Sequence, residues 1–130
     1  MDTTKTETLA EKIRANNAYI AVLIVGLAMA AYHLITTQVL LQDAKPHLNT
    51  HLGFCLIMVF LWEFMEKKGR IQRLVPLGFA ALALACTGYV QIYWVELENR
   101  AYFNTPLDLV IGVMIFALVL EATRRNFGLI

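Results

Sequence analysis

Ala18–Leu41 reads AYIAVLIVGLAMAAYHLITTQVLL, and its residues through Ile35 carry no charge. A helix rises about 1.5 Å per residue, so roughly 20 apolar residues cross a hydrocarbon layer of about 30 Å. Three further apolar runs follow, at Leu48–Met65, Leu74–Val95 and Leu107–Ala122. Leu74–Val95 is also uncharged. Leu48–Met65 is the least apolar, opening on Asn49, Thr50 and His51 and holding Glu63 near its end. The reading is an all-α integral membrane protein with four transmembrane helices, at about 18–41, 48–65, 74–95 and 107–122. Composition agrees. The chain is 58% hydrophobic and 16% charged, against roughly 25% charged in soluble domains. A water-soluble bundle would need a polar stripe along every helix. Little chain remains for a second folded domain.

The basic residues fix an orientation. Lys5, Lys12 and Arg14 precede the first run; Lys67, Lys68, Arg70 and Arg73 lie between the second and third; Arg124 and Arg125 follow the fourth. The other two connections hold only Lys45 and Arg100. Basic residues stay on the cytoplasmic side, so both termini are expected inside and two short loops outside. An even number of spans requires the same. A net charge of +1 gives no ground for a nucleic-acid partner. Ala28-Met29-Ala30 has the form of a signal-peptide cleavage site, but apolar character continues beyond it through Leu40 and Leu41, so the first span is read as retained.

Local signals punctuate the connections. Thr8 and Glu11 have capping-box spacing, and Leu9 and Ile13 share a helical face. Thr8–Asn16 is therefore expected to be a short amphipathic helix on the cytoplasmic surface. It falls within a leading segment at 1–17, ahead of a membrane domain at 18–125 and a short end at 126–130. Gln42–Pro46 breaks the first outer connection, Gly69 breaks the basic turn, and Pro76 is expected in the first turn of span three. Thr105-Pro106-Leu107-Asp108 reads as an N-cap, a proline at N1 and an acid at N3 facing the positive helix end. Tyr89, Tyr93, Trp94, Tyr102 and Phe103 mark the outer boundary; Trp62 and Phe64 mark the inner one. Gly26 with Ala30, Ala81 with Ala85, and Gly78 would permit close helix approach. Cys55 and Cys86 read as packing residues.

Few residues can carry chemistry. Glu63, near the inner end of span two, is the strongest candidate, costly to bury unless it reaches water or pairs with Lys67 at i+4. Glu121 has Arg124 at i+3 and Arg125 at i+4, a helix-end anchor. Gln38 and Gln91 are placed to hydrogen-bond between helices. His47 and His51 stand at i, i+4, a spacing that can put two imidazoles on a metal. His33 opposite His51 is the imaginable haem pair. The simpler reading is three interfacial polar side chains. No nucleophile–base set, phosphate loop or paired carboxylates appear, so no enzyme activity, cofactor or metal is assigned to this chain. The alternatives are a haem- or metal-binding electron-transfer subunit, or an autonomous small exporter working through Glu63.

The run Thr105-Pro106-Leu107-Asp108-Leu109-Val110-Ile111-Gly112-Val113, followed by Leu118-Val119-Leu120-Glu121-Ala122-Thr123-Arg124-Arg125, resembles the fourth helix of the small membrane portion of TRAP (tripartite ATP-independent periplasmic) transporters. The TAXI type is the nearest in character. His51-Leu52-Gly53-Phe54 ahead of an apolar run and a basic turn is similar too, as is Tyr89 before an outer loop holding Arg100. The resemblance runs from about Tyr32 onward and does not include the leading segment. In fused members the chain continues past the stretch equivalent to Glu121–Arg125 into a larger permease. The expectation is thus a separately encoded small subunit or a part of something longer.

The resemblance implies sodium-driven uptake of a solute, often an organic acid, across a bacterial inner membrane. A periplasmic binding protein delivers the solute, and the large multi-span subunit carries the moving domain, the sodium sites and the substrate site. The small portion braces that machinery in the lipid bilayer. Asp43, Lys45, His47, Glu98, Arg100 and Asn104 are the residues expected to meet the binding protein.

Overall fold

The computed structural model describes residues 3–40, 43–67 and 69–127. The order is α1 (Thr3–Ile35), a π-helical turn at Thr36–Leu40, α2 (Ala44–Glu66), α3 (Arg70–Ile92), α4 (Trp94–Asn99) and α5 (Pro106–Phe127), with no strand among the described residues. Tyr19–Gln38, Ala44–Glu66, Arg70–Ile92 and Pro106–Phe127 are each long and apolar enough to cross a membrane. The chain is an all-α, multi-pass membrane protein.

Several boundaries differ from the sequence reading, each for a local reason. The leading segment is not a separate surface helix: α1 is continuous from Thr3 to Ile35. Thr8–Asn16 contains neither glycine nor proline to interrupt it. The resulting rod is about 50 Å long, well beyond the hydrocarbon layer. α2 begins at Ala44 rather than Leu48, with Pro46 in its first turn, where a missing N–H is harmless. α3 begins at Arg70 rather than Leu74, which moves Pro76 out of the first turn into the helix interior. There it is fully buried and cannot donate to the Gln72 carbonyl. The third span stops at Ile92 because Tyr93 leaves helical geometry (φ −98°, ψ 18°), and the chain turns into α4. α5 runs past Ala122 to Phe127, its last turn carrying Arg124 and Arg125.

Consecutive spans run antiparallel, so the start of α1, the end of α2, the start of α3 and the end of α5 share one face. This is the basic end. Arg73 fastens its hairpin, donating from Nε to the Phe64 carbonyl at 3.2 Å with its guanidinium 4.3 Å above the Phe64 ring. The helices form an open array around the α2–α3 hairpin, the most extensive contact in the molecule. α1 packs principally on α2, and α5 sits in the groove between α3 and α2. Leu56, Phe60, Ala83, Leu118 and Ala122 make the core where α2, α3 and α5 meet. Phe60 stacks on Phe79 with ring centroids 5.3 Å apart.

Close approach occurs at a glycine that the small-residue pattern did not single out. A Cβ on Gly53 would lie 3.0 Å from Thr87 Oγ1, whose own bond to the Ala83 carbonyl fixes it at 2.7 Å. By contrast, a Cβ on Gly78 would meet nothing within 4 Å, and Ala81 and Ala85 are exposed. Those residues do not bring helices of this chain together. Gly53→Val should therefore force α2 from α3 and lower the thermal unfolding midpoint in detergent by about 5 °C or more. Gly112→Val, which enters open space, should leave the midpoint unchanged. Equal effects at the two positions would count against this packing.

Candidate functional site

Four groups of polar side chains lie against the apolar helices among the described residues. The first joins α1 to α2 near the end opposite the basic one. His33 Nδ1 is 2.7 Å from the Met29 carbonyl, His33 Nε2 is 3.0 Å from His51 Nδ1, and His51 Nε2 is 3.6 Å from Cys55 Sγ. A carbonyl only accepts, so His33 donates through Nδ1. In the neutral ring its Nε2 then accepts from His51 Nδ1–H, and His51 Nε2 accepts from the thiol. Thr36 donates its hydroxyl proton to the Tyr32 carbonyl at 2.9 Å, leaving its oxygen to accept from His47 Nδ1 at 3.2 Å. His33 is 4.6 Å from His47 and 5.0 Å from His51, ring to ring, both edge-on. Tyr32 stacks on His47.

The sequence reading had these histidines as three interfacial residues around the outer end of spans one and two, with a metal at His47 and His51 or a haem between His33 and His51 as the alternative use. The structure draws all three together, with both nitrogens of His33 and of His51 and the Nδ1 of His47 engaged by one another, the Met29 carbonyl, Cys55 and Thr36. Among the described residues, no group of three or more His, Cys, Asp or Glu side chains is arranged to hold a metal ion.

A second group crosses from α2 to α3. Gln91 Oε1 accepts from Asn49 Nδ2 at 3.2 Å and from Thr50 Oγ1 at 3.1 Å, and Asn49 also donates to the Thr87 carbonyl at 2.9 Å. These residues close one end of a shallow cavity of about 210 Å³, lined otherwise by apolar side chains such as Phe54, Ile57 and Leu84. Gln91 thus bonds between helices. Gln38, its counterpart on the first span, is exposed.

The third group binds α5 to α2 at the basic end. Glu63 Oε1 accepts from Arg125 Nη1, and Arg125 Nε donates to Glu121 Oε1. Arg124 forks onto both oxygens of Glu121 at 2.8 and 2.7 Å. Lys67, the partner that helical spacing suggested for Glu63, is 3.8 Å away. The stronger partner comes from another span, which no local spacing could indicate.

At the opposite end, Thr105 and Asp108 cap α5 reciprocally. Thr105 N donates to Asp108 Oδ2 at 2.8 Å, and Asp108 N donates to Thr105 Oγ1 at 3.3 Å, with Pro106 at the first helical position. Asp108 Oδ1 also accepts from Tyr89 Oη at 2.7 Å and Arg100 Nη2 at 3.1 Å. Lys45 pairs with Glu98 of α4 at 3.0 Å and lies over the Trp94 ring. Asp43, Lys45, Glu98 and Asn104 are exposed at this end. Arg100 and His47 instead turn inward, to Asp108 and to the histidine group.

Comparison with known protein families, with curated proteins and with solved structures finds no match for this chain.

Proposed function

We propose that the chain is a small scaffold subunit of a larger membrane transport assembly, of the kind that its likeness to the small portion of TRAP transporters implies. In this reading it lies in a bacterial inner membrane with both termini in the cytoplasm. A large multi-span partner carries the sodium sites and moves the solute, an organic acid, which a periplasmic binding protein delivers. Asp43, Lys45, Glu98 and Asn104 face that protein.

The supporting observation is how little of the first span this chain covers. Only 6% of the residues in the Tyr19–Gln38 window are buried, and α1 rests principally on α2. Lipid tails are as apolar as leucine, so no hydrophobic force holds such a helix to a single neighbour. A large flanking surface suits a subunit that braces another membrane protein. Purification from its native membrane in mild detergent should bring down a much larger multi-span protein in stoichiometric amount. Recovery of this chain alone, or only with copies of itself, would overturn the proposal.

A further inference from the structure

We infer that His33, His47 and His51 form an acid-sensitive latch that holds the outer half of α1 on α2. The inference rests on hydrogen-bond direction and does not depend on what the chain partners. With all three rings neutral, each carries its proton on Nδ1: His33 toward the Met29 carbonyl, His51 toward His33 Nε2, and His47 toward Thr36 Oγ1. That arrangement satisfies each donor. It also leaves no place for two added protons between His33 and His51.

One extra proton can be shared. If His33 Nε2 becomes a donor, His51 can accept through Nδ1 and carry its own proton on Nε2, facing Cys55 Sγ 3.6 Å away. A second proton cannot be placed in the same way, because two N–H groups then face each other across 3.0 Å. A charged His47, centred 4.6 Å from His33, adds to the repulsion. Like charges this close oppose one another strongly where water is scarce.

The groups facing the rings offer no counter-charge. α1 contributes Tyr32 and the π-helical turn contributes Thr36; α2 contributes Cys55 and Phe54. Asp43 lies one turn before His47, but it meets that residue through its backbone carbonyl, and it is exposed. Among the described residues, no carboxylate, lysine or arginine pairs with any of the three rings. The packing thus accommodates the rings neutral or with one shared proton, and not with two.

The backbone beside the latch is suited to give. α1 ends in the π-helical turn Thr36–Leu40, a widened turn of the sort found at functional positions. Thr37 donates to the His33 carbonyl at 2.7 Å, as Thr36 does to that of Tyr32. Such back-bonding from a threonine hydroxyl to the carbonyl four residues earlier slightly destabilises a helix and often bends it. With α2 its principal support, α1 has little else to retain its outer end once the rings repel.

The test uses the full chain in lipid nanodiscs. Spin labels attached through non-natural keto residues at Leu34 and Leu48, both exposed beside the latch, avoid the native cysteines. Between pH 8 and pH 5, the interval over which histidine changes charge, the label separation should lengthen by about one helical turn, ~5 Å. His33→Gln and His51→Gln each remove one ring of the facing pair, leaving only His47 and one other ring to charge, and should lengthen far less than wild type. A wild-type separation unchanged at pH 5, or a His51→Gln variant that moves as far as wild type, overturns the latch. Nitrogen-15 spectra of histidine-labelled wild type decide the matter if a variant does not fold. They should show Nδ1–H tautomers at pH 8 and charged rings at pH 5. Rings that stay neutral at pH 5, or that start as Nε2–H tautomers, overturn it as well.

Discussion

Arg125→Leu should loosen α5 from the α2–α3 hairpin and lower the thermal unfolding midpoint in mild detergent by about 10 °C. Arg125 joins three helices: it donates to Glu63 of α2 and to Glu121 of its own helix, and its guanidinium lies 5.0 Å from the centre of the Phe79 ring of α3. The side chains of Arg125 and Glu63 are 20% and 15% exposed. Removing one member of such a pair leaves an uncompensated charge, at a cost of about 3–5 kcal/mol. The lower end applies, because Glu121 keeps Arg124 and Glu63 keeps Lys67. The double variant Glu63→Leu with Arg125→Leu should recover most of the loss, since the charge left without its partner is then gone as well. Lys67→Ala should change stability by only about 0.5 kcal/mol, because the side chain is 47% exposed and its approach to Glu63 is long, at 3.8 Å. The pairing is wrong if Arg125→Leu proves as mild as Lys67→Ala, or if the double variant is worse than either single one.

Arg125 also marks where sequence reasoning stops. Helical spacing is local, so Glu121 with Arg124 and Arg125 can be read three and four residues apart, and Thr105 with Asp108 three apart. The four spans can be read for a similar reason, since run length and charge are properties of contiguous residues. Glu63 with Arg125 joins residues 62 positions apart, and their meeting depends on how α5 docks. The nearest legible partner was Lys67, which turned out to be the secondary one. Gly53 was missed because glycine and alanine recur throughout these spans, and only the position of Thr87 on α3 distinguishes it from Gly78. His33 was legible opposite His51 at the outer end of the first two spans, but their direct hydrogen bond and the approach of His47 to His33 were not. His47 and His51 share a helix face by spacing, whereas the position of His33 depends on the register of α1 against α2. α4 was missed because Tyr93-Trp94-Val95 continues the apolar run of α3, and the turn between them is conformational rather than compositional.

Asp108→Ala should be as damaging as any single change outside the core, because one carboxylate serves three donors on different parts of the chain. Its side chain is 4% exposed. It accepts from the Thr105 backbone at the start of α5, from Tyr89 near the end of α3, and from Arg100 just after α4. Loss of the reciprocal cap costs about 1 kcal/mol. Leaving the Tyr89 hydroxyl and the Arg100 guanidinium without their acceptor adds about 1–3 kcal/mol for each that water does not reach. Arg100, whose side chain is 33% exposed, can turn in part to water, although its Nε is buried without a partner. A total near 3 kcal/mol is expected, read as an unfolding shift of about 10 °C. Tyr89→Phe removes a single donor and leaves the carboxylate its other partners, so it should cost about 1 kcal/mol. The two changes should not add, because once the carboxylate is gone the missing hydroxyl no longer matters. Additivity would mean that the bond from Tyr89 to Asp108 contributes nothing. Hydrogen exchange separates this clamp from a general loss of stability: in Asp108→Ala the amide of Thr105, which loses its acceptor, should lose protection well before those of Leu118–Ala122, which sit in the core between α2 and α3. The same carboxylate orients Arg100 and the loop after it, so whatever approaches this face meets a loop positioned from inside the membrane domain.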